Sequence, residues 1–310
     1  MRYDISYGKF RVPVYRTAAR ALSGVAPIPE SAFTGRTNAL LALEVDVAVL
    51  CDNFLPAYLV GDNANVVATD SMKNFIIREA LDYDGATIEG FLHVLGARFL
   101  HEYAQMQTLR LTGRELPFTA VTIPDEVAGA SGFAPSGVLF ERGRDDHFAA
   151  TLAMERGGDG PVVTAHDCAQ SDIRLMKTTG SSFTSFVRDG YTTLPDRKDR
   201  PLFIYLDVGW RYGDVEDLID PARGRYVPSE QVRDVVRAVF HQFVSESIQH
   251  LVHEIGLRLL DRFPQLAQVG FAGQNRTRDP FHASPTDPDV RVYSDPFSAY
   301  GEITLTMNRH

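Results

Sequence analysis

Two stretches of helical periodicity interrupt a chain whose other apolar residues alternate, and each is flanked by alternating segments, an order that few folds accommodate. In the first half, residues 40–50 read as a strand, with Leu43, Val45, Val47 and Val49 alternating against Glu44 and Asp46. Residues 3–16, around Pro13, read as the strand before it. Thr69 or Asp70 is a suitable N-cap for a helix running toward Leu81. A second helix is expected over residues 87–103, where Ile88, Phe91, Leu92, Leu95, Phe99 and Leu100 form one stripe. Residues 105–112 and 135–142 are expected to be strands of the same sheet, joined by an irregular link containing Pro-Asp-Glu. The second half repeats this order. Residues 147–155 and 162–166 flank Gly157-Gly158-Asp159-Gly160, a hairpin signal, and 202–208 form the next strand. A long helical pattern covers 230–263, with Val236, Val239, Phe240, Phe243, Ile248, Leu251, Val252, Ile255 and Leu259 on one face and Pro264 ending it. Closing strands are expected near 267–273, 290–293 and 302–307. The expectation is an α+β chain of two tandem domains, 1–144 and 145–310, that repeat one order of elements.

Charge narrows the partners. Lys plus Arg number 31 against 40 Asp plus Glu, a formal charge of −9, which argues against nucleic acid. No apolar run approaches the roughly 20 residues of a membrane helix, and the first residues lack the apolar core of a secretory signal. Cys51 and Cys168 are the only cysteines, as in a protein of a reducing compartment, and the Thr-Met-Asn-Arg-His terminus is not a peroxisomal address. A cytoplasmic protein is expected. Metal motifs are thin: His250 and His253 lie at i and i+3 without a Cys/His cluster around them, and His166-Asp167-Cys168 puts neighbours on opposite strand faces.

Residues 177–200 hold the densest chemistry. Thr178, Thr179, Ser181, Ser182, Thr184 and Ser185 surround Phe183 and Phe186 without strand or helix period, and Arg188 and Arg200 flank a Tyr-Thr-Thr turn closed by Pro195. Hydroxyls and aromatics on a loop make a surface for something planar and polar, and an arginine fork can clamp adjacent acceptors. Without more, a solvated surface loop is an equal reading. The run K-T-T-G-S-S-F…F-x-R-D-x-Y-T-T-L…D-R resembles the long signature of the urate oxidases, the cofactor-free uricases. In that resemblance Phe183 stacks on the purine and Arg200 clamps it.

Shorter segments extend the resemblance. Tyr7-Gly8-Lys9 followed by Val-x-Val is similar to the segment carrying the family's catalytic lysine, here Lys9. V-A-T-D-S-M-K-N resembles the motif whose threonine pairs with that lysine, which assigns Thr69 and Asp70, and a helix start there would also present free N–H groups to an anion. Ile248-Gln249 stands where uricases carry a hydrophobic residue and a glutamine, and a primary amide suits an imide edge. Asn275 matches the asparagine over the ligand beside the dioxygen or water site. The family histidine is replaced by Thr277, whose hydroxyl can extend a relay but cannot act as a base near neutral pH.

The resemblance implies two tandem tunnelling-fold (T-fold) domains, antiparallel sheets with helices on one face, closing into a barrel around a tunnel in a homotetramer, and active sites between subunits. It implies oxidation of urate by O2 and water to 5-hydroxyisourate and hydrogen peroxide, without a cofactor. Lys9, Thr69 and Thr277 are then the candidate catalytic residues. Thr69, Asp70, Phe183, Arg200, Ile248, Gln249 and Asn275 are the substrate-binding ones. Two alternatives stand beside this: a T-fold relative acting on a pterin or another purine, and a non-catalytic purine-binding protein silenced by Thr277.

Overall fold

The computed structural model describes residues 1–124, 132–276, 279–294 and 298–309. In chain order the elements are β1 (Tyr7–Thr17), β2 (Leu40–Val49), α1 (Leu55–Val60), α2 (Thr69–Asp82), α3 (Ile88–Glu102), β3 (Thr108–Glu115), β4 (Phe118–Pro124), β5 (Phe133–Arg142) and β6 (His147–Gly157). Then follow β7 (Gly160–Lys177), β8 (Leu202–Tyr212), α4 (Glu216–Ile219), α5 (Ser229–Gln242), α6 (Ile248–Arg262), β9 (Leu266–Asn275), β10 (His282–Ala283), β11 (Arg291–Val292) and β12 (Gly301–Asn308). Two compact units emerge: Met1–Ala26, Thr34–Cys168 and Asp214–Tyr226 form one, and Pro27–Phe33, Ala169–Gly213 and Val227–His310 the other.

In the first unit β1, β2, β3 and β6 pair in that order, each antiparallel to the next, and β1 is the edge. The alternation of β2 buries Leu43, Val45 and Val47, while α2 packs on the neighbouring β1 and α3 on β3 and β6. In the second unit β8, β9 and β12 pair antiparallel, with the later part of β7 beside β8 and with β12 at the edge. Helix α6 packs on β9 and β12 and against α5. This is an α+β fold of antiparallel sheets carrying helices.

The repetition reaches individual side chains. Helices α3 and α6 are both 15 residues long, begin with isoleucine and are capped by a hydroxyl: Thr87 accepts from Gly90 N, and Ser247 from His250 N. Nine residues in, each carries a glycine, Gly96 and Gly256, where a Cβ would lie 2.3 Å from a methionine sulfur, Met154 of β6 and Met307 of β12 respectively. The helix can settle onto the sheet only because that Cβ is missing.

Four sequence expectations are corrected. The pattern over 230–263 is two helices, because Lys177 Nζ donates to His241 O and Phe243 O at the end of α5 while Ser247 starts α6. Residues 135–142 do not join the sheet of 105–112, because β5 pairs with β4 in a separate two-stranded sheet, and the fourth strand beside β3 is β6. Part of the supposedly irregular link is therefore β4. The N-cap of α2 is Ala68, without a side-chain bond, and Asp70 instead accepts from Lys73 (2.7 Å) and Asn74 (3.1 Å).

Candidate active site

In the second unit, the hydroxyl-rich stretch is a loop closed at several points. Phe183 and Arg197 exchange backbone hydrogen bonds of 2.8 and 3.0 Å, and Arg200 N donates to Ser181 O at 2.8 Å. Asp199 accepts from Thr179 Oγ1 (2.8 Å) and Gly180 N (2.7 Å). Burial works to raise the Asp199 carboxyl, but those hydrogen bonds outweigh it and leave its pKa below the usual value. Ser182 N donates to Ser245 O at 2.8 Å, and the Ser245 hydroxyl donates to Ser181 at 3.3 Å, which ties the loop to the start of α6.

The loop holds a stack of cations and rings. The Arg200 guanidinium carbon lies 5.1 Å from the Phe183 centroid. Phe183 lies parallel to Phe186, with centroids 4.9 Å apart and planes 11° from parallel, and Arg188 covers Phe186 at 5.0 Å. Arg188 is anchored by Asp196 at 3.2 Å. Arg200 is only 7 % exposed. Its buried Nε has no hydrogen-bond partner, and among the described residues no carboxylate forms an ion pair with it. Burial lowers its pKa, Asp279 opposes that at longer range and Arg197 adds to it. A guanidinium stays charged nonetheless. A desolvated cation left unpaired is costly and is ordinarily found where a ligand supplies the anion.

Ile248 and Gln249 are the first two residues of α6, one buried and the other exposed. A Cβ on Gly273 of β9 would lie 3.4 Å from the Ile248 Cδ1, so the helix start rests on that strand. Two residues on, Asn275 ends β9, paired with Ile204 and Gly301. The following residue fixes the exit: Arg276 N donates to Phe203 O (2.9 Å), and its guanidinium sits 5.1 Å from the Tyr205 ring and 4.0 Å from that of Tyr300. Phe183, Arg200, Ile248 and Asn275 are thus linked by short chains of contacts within this unit. Thr277 lies outside the described residues.

The first unit holds the other candidates. A bulge interrupts the β1–β2 register immediately after Lys9, where Arg11 adopts φ 55° and donates its N–H to Asp46 Oδ1 at 2.7 Å. Gly8 is required by close approach, since a Cβ there would stand 2.0 Å from Val47 O. Thr69 opens α2 and is exposed, as is Asp70. The hydrogen bond from Lys73 chiefly holds the Asp70 carboxyl below its usual pKa, and the charge of Lys9 contributes to the same shift. Lys9 therefore stands within electrostatic reach of the α2 N-terminus.

Sequence reasoning did not single out the Ser181–Ser245 tie, the anchoring role of Asp199, or Tyr7 as more than part of a motif. The pairing of residues 64 apart leaves no local signal. Among the described residues no group of three or more His, Cys, Asp or Glu is gathered as a metal-ligand set. His250 instead packs edge-on against Phe243, with centroids 4.6 Å apart.

A β-β-α-α-β-β unit present twice is the arrangement of a tunnelling-fold protein, and its second copy carries a buried guanidinium, unpaired among the described residues, beside a phenyl ring. Known relatives narrow that class. The family profile described as Uricase matches residues 168–304. The uricase of Haloferax volcanii is 44 % identical over 98 % of both chains. The uric acid degradation bifunctional protein PucL of Bacillus subtilis is 42 % identical, covering 100 % of this chain and 62 % of its own. Among solved structures, the urate oxidase of Bacillus sp. TB-90 superposes with a TM-score of 0.94 at 39 % identity, covering 99 % of this chain and 100 % of that one. The chain belongs to the uricase family.

Proposed function

We propose that this protein is a urate oxidase that converts urate, O2 and water to 5-hydroxyisourate and hydrogen peroxide. The observation that carries the reading is the buried Arg200, unpaired among the described residues, beside the Phe183 ring. A urate anion supplies the missing countercharge, a ring to stack and adjacent acceptors for a two-pronged clamp. Gln249 meets the imide edge with one donor and one acceptor, and Ile248 shapes the wall beside it. Thr69 and Asp70 contribute the free N–H groups of the α2 start.

The oxidation takes two electrons from urate to O2, giving peroxide, while water supplies the hydroxyl at the oxidised carbon. An electron-rich anion needs orientation and proton management more than a cofactor, so O2 is the only co-substrate proposed. Lys9, acting through Thr69, accepts a proton, Asn275 borders the O2 or water position, and Thr277 extends the relay without serving as a base.

The site is proposed to form between subunits of a homotetramer. Lys9, Thr69 and Asp70 come from one chain, and Phe183, Arg200, Gln249 and Asn275 from its neighbour. Each unit leaves one strand edge uncovered, β1 in the first and β12 in the second, and closing sheets into a barrel around a tunnel removes both. Tandem T-fold domains, divided near residues 144 and 145, complete this arrangement. Among the described residues no helix is long and apolar enough to cross a membrane, and a cytoplasmic location is proposed. Purified protein, without added metal, is expected to bleach the ultraviolet band of urate under air and release one peroxide per urate. Absent turnover from neutral to alkaline pH would reject the proposal, and binding without turnover would select a purine-binding protein instead.

A further inference from the structure

We infer that Tyr7 is a positioning residue for the reaction, whose hydroxyl holds the strand-to-helix segment before Thr69 in place opposite Lys9; the inference rests on the roles proposed above for Lys9 and Thr69. Tyr7 and Lys9 are two residues apart on β1, so their side chains leave the same face of the strand. Val67 donates its N–H to the Tyr7 hydroxyl at 3.3 Å, across 60 residues of sequence, and Thr69 opens α2 two residues later. The ring is itself fixed, packed on Phe54 with centroids 4.8 Å apart, and Phe54 is fully buried. On the far side of the segment, the charge of Lys9 acts on Asp70. Residues 67–70 are therefore tied to β1 by the hydrogen bond that Val67 N donates to the Tyr7 hydroxyl, and the charge of Lys9 reaches Asp70 at the other end of the segment.

The geometry on the β1 side leaves little slack. Gly8 lets the backbone lie against Val47 O, and the bulge after Lys9 is pinned by Arg11 N on Asp46. Neither constraint reaches the α2 start. The Tyr7 hydroxyl is the described side-chain hydrogen bond that does, and it bonds a backbone group of a buried residue, Val67, which a loosened segment would leave unsatisfied. Burial mainly pushes the Tyr7 phenol above its usual pKa, and the N–H of Val67 that it accepts works against that rise. A proton passed between Lys9 and Thr69 requires heavy atoms within hydrogen-bond reach, and a small drift of Thr69 is enough to slow it.

The test is a double-mutant cycle on the assembled enzyme, with kcat, KM and the affinity for a urate analogue measured for Tyr7→Phe, Lys9→Met and the pair. Residual rates are followed at high enzyme concentration. Tyr7→Phe is expected to lower kcat by about tenfold when Lys9 is present and by less than about twofold when it is not, with analogue affinity changed by less than about threefold. Phe54→Leu serves as the control. It loosens the ring packing without touching the hydroxyl, so it should lower the melting temperature and leave kcat within about twofold. Equal kcat losses from Tyr7→Phe in both backgrounds, no loss in either, or an equal loss from Phe54→Leu would each overturn the inference. If Lys9→Met alone left kcat intact, the underlying role of Lys9 would fail first, and that arm reports it separately.

Discussion

Replacing Arg200 by methionine should separate binding from stability. Two parallel hydrogen bonds from a guanidinium to an anion contribute about 1.5–3 kcal/mol each, or about 3–6 kcal/mol together. Their loss predicts an affinity for urate lower by roughly 10²–10⁴-fold. Stability should respond differently. The cation contact with the Phe183 ring at 5.1 Å gives back about 1–2 kcal/mol, while the unpartnered Nε of a side chain only 7 % exposed costs about 1–3 kcal/mol. The two nearly cancel, so Arg200→Met should leave the unfolding free energy within about 1 kcal/mol. A buried arginine serving as half of an internal ion pair would instead lose about 3–5 kcal/mol. Calorimetric titration with a urate analogue and thermal melts without ligand, on the same preparations, measure both quantities. Retained affinity would refute the clamp, and a large drop in melting temperature would show that Arg200 holds the fold.

Lys9→Met should cut kcat by roughly 100-fold or more while leaving analogue affinity largely intact, as steady-state kinetics beside a binding titration would show. Glu30 accepts from Arg262 and Arg258, at 2.9 and 2.7 Å for the closest approaches. The Arg262 bonds, opposed by burial and aided by Arg258, hold its pKa at about 2 instead of 4.5. A depressed carboxylate stabilises above its unfolded pKa, so Glu30→Gln should lower stability at neutral pH by roughly 2–3 kcal/mol. That difference should vanish as pH falls from about 4.5 to about 2 in paired melts. Ser247→Ala removes the cap of α6 and should cost about 1 kcal/mol, with a higher KM because Gln249 lies two residues on.

The central motif was legible because its chemistry is local. Phe183, Arg188 and Arg200 lie on one loop, and their residue types suit a flat, polar ligand as well as they suit a solvated surface loop, until the order of the whole run matches the family signature. Most strands were legible for the same reason, since Leu43, Val45 and Val47 alternate whatever they pair with. The break between α5 and α6 was not, because Phe243 and Ile248 continue the apolar stripe of the helices on either side. What ends α5 is Lys177, more than sixty residues earlier, and what starts α6 is a single serine hydroxyl. Sheet membership of 135–142 was hidden too. Alternation marks a strand but not its partner, and β4 runs from just after Pro117 to Pro124 in a stretch read as a link. Tyr7 looks like an ordinary strand residue until Val67, 60 positions on, is seen to bond it.

The most direct test of the composite site is complementation. Lys9→Met and Arg200→Met proteins, each nearly inactive, are dissociated, mixed in equal amounts and reassembled. If Lys9 and Arg200 of one active site come from different chains, random assembly restores both residues to about a quarter of the sites, and urate oxidation should recover to about that fraction of the unmutated rate. If each chain completes its own site, the mixture would stay as inactive as its parents, and the account would be contradicted.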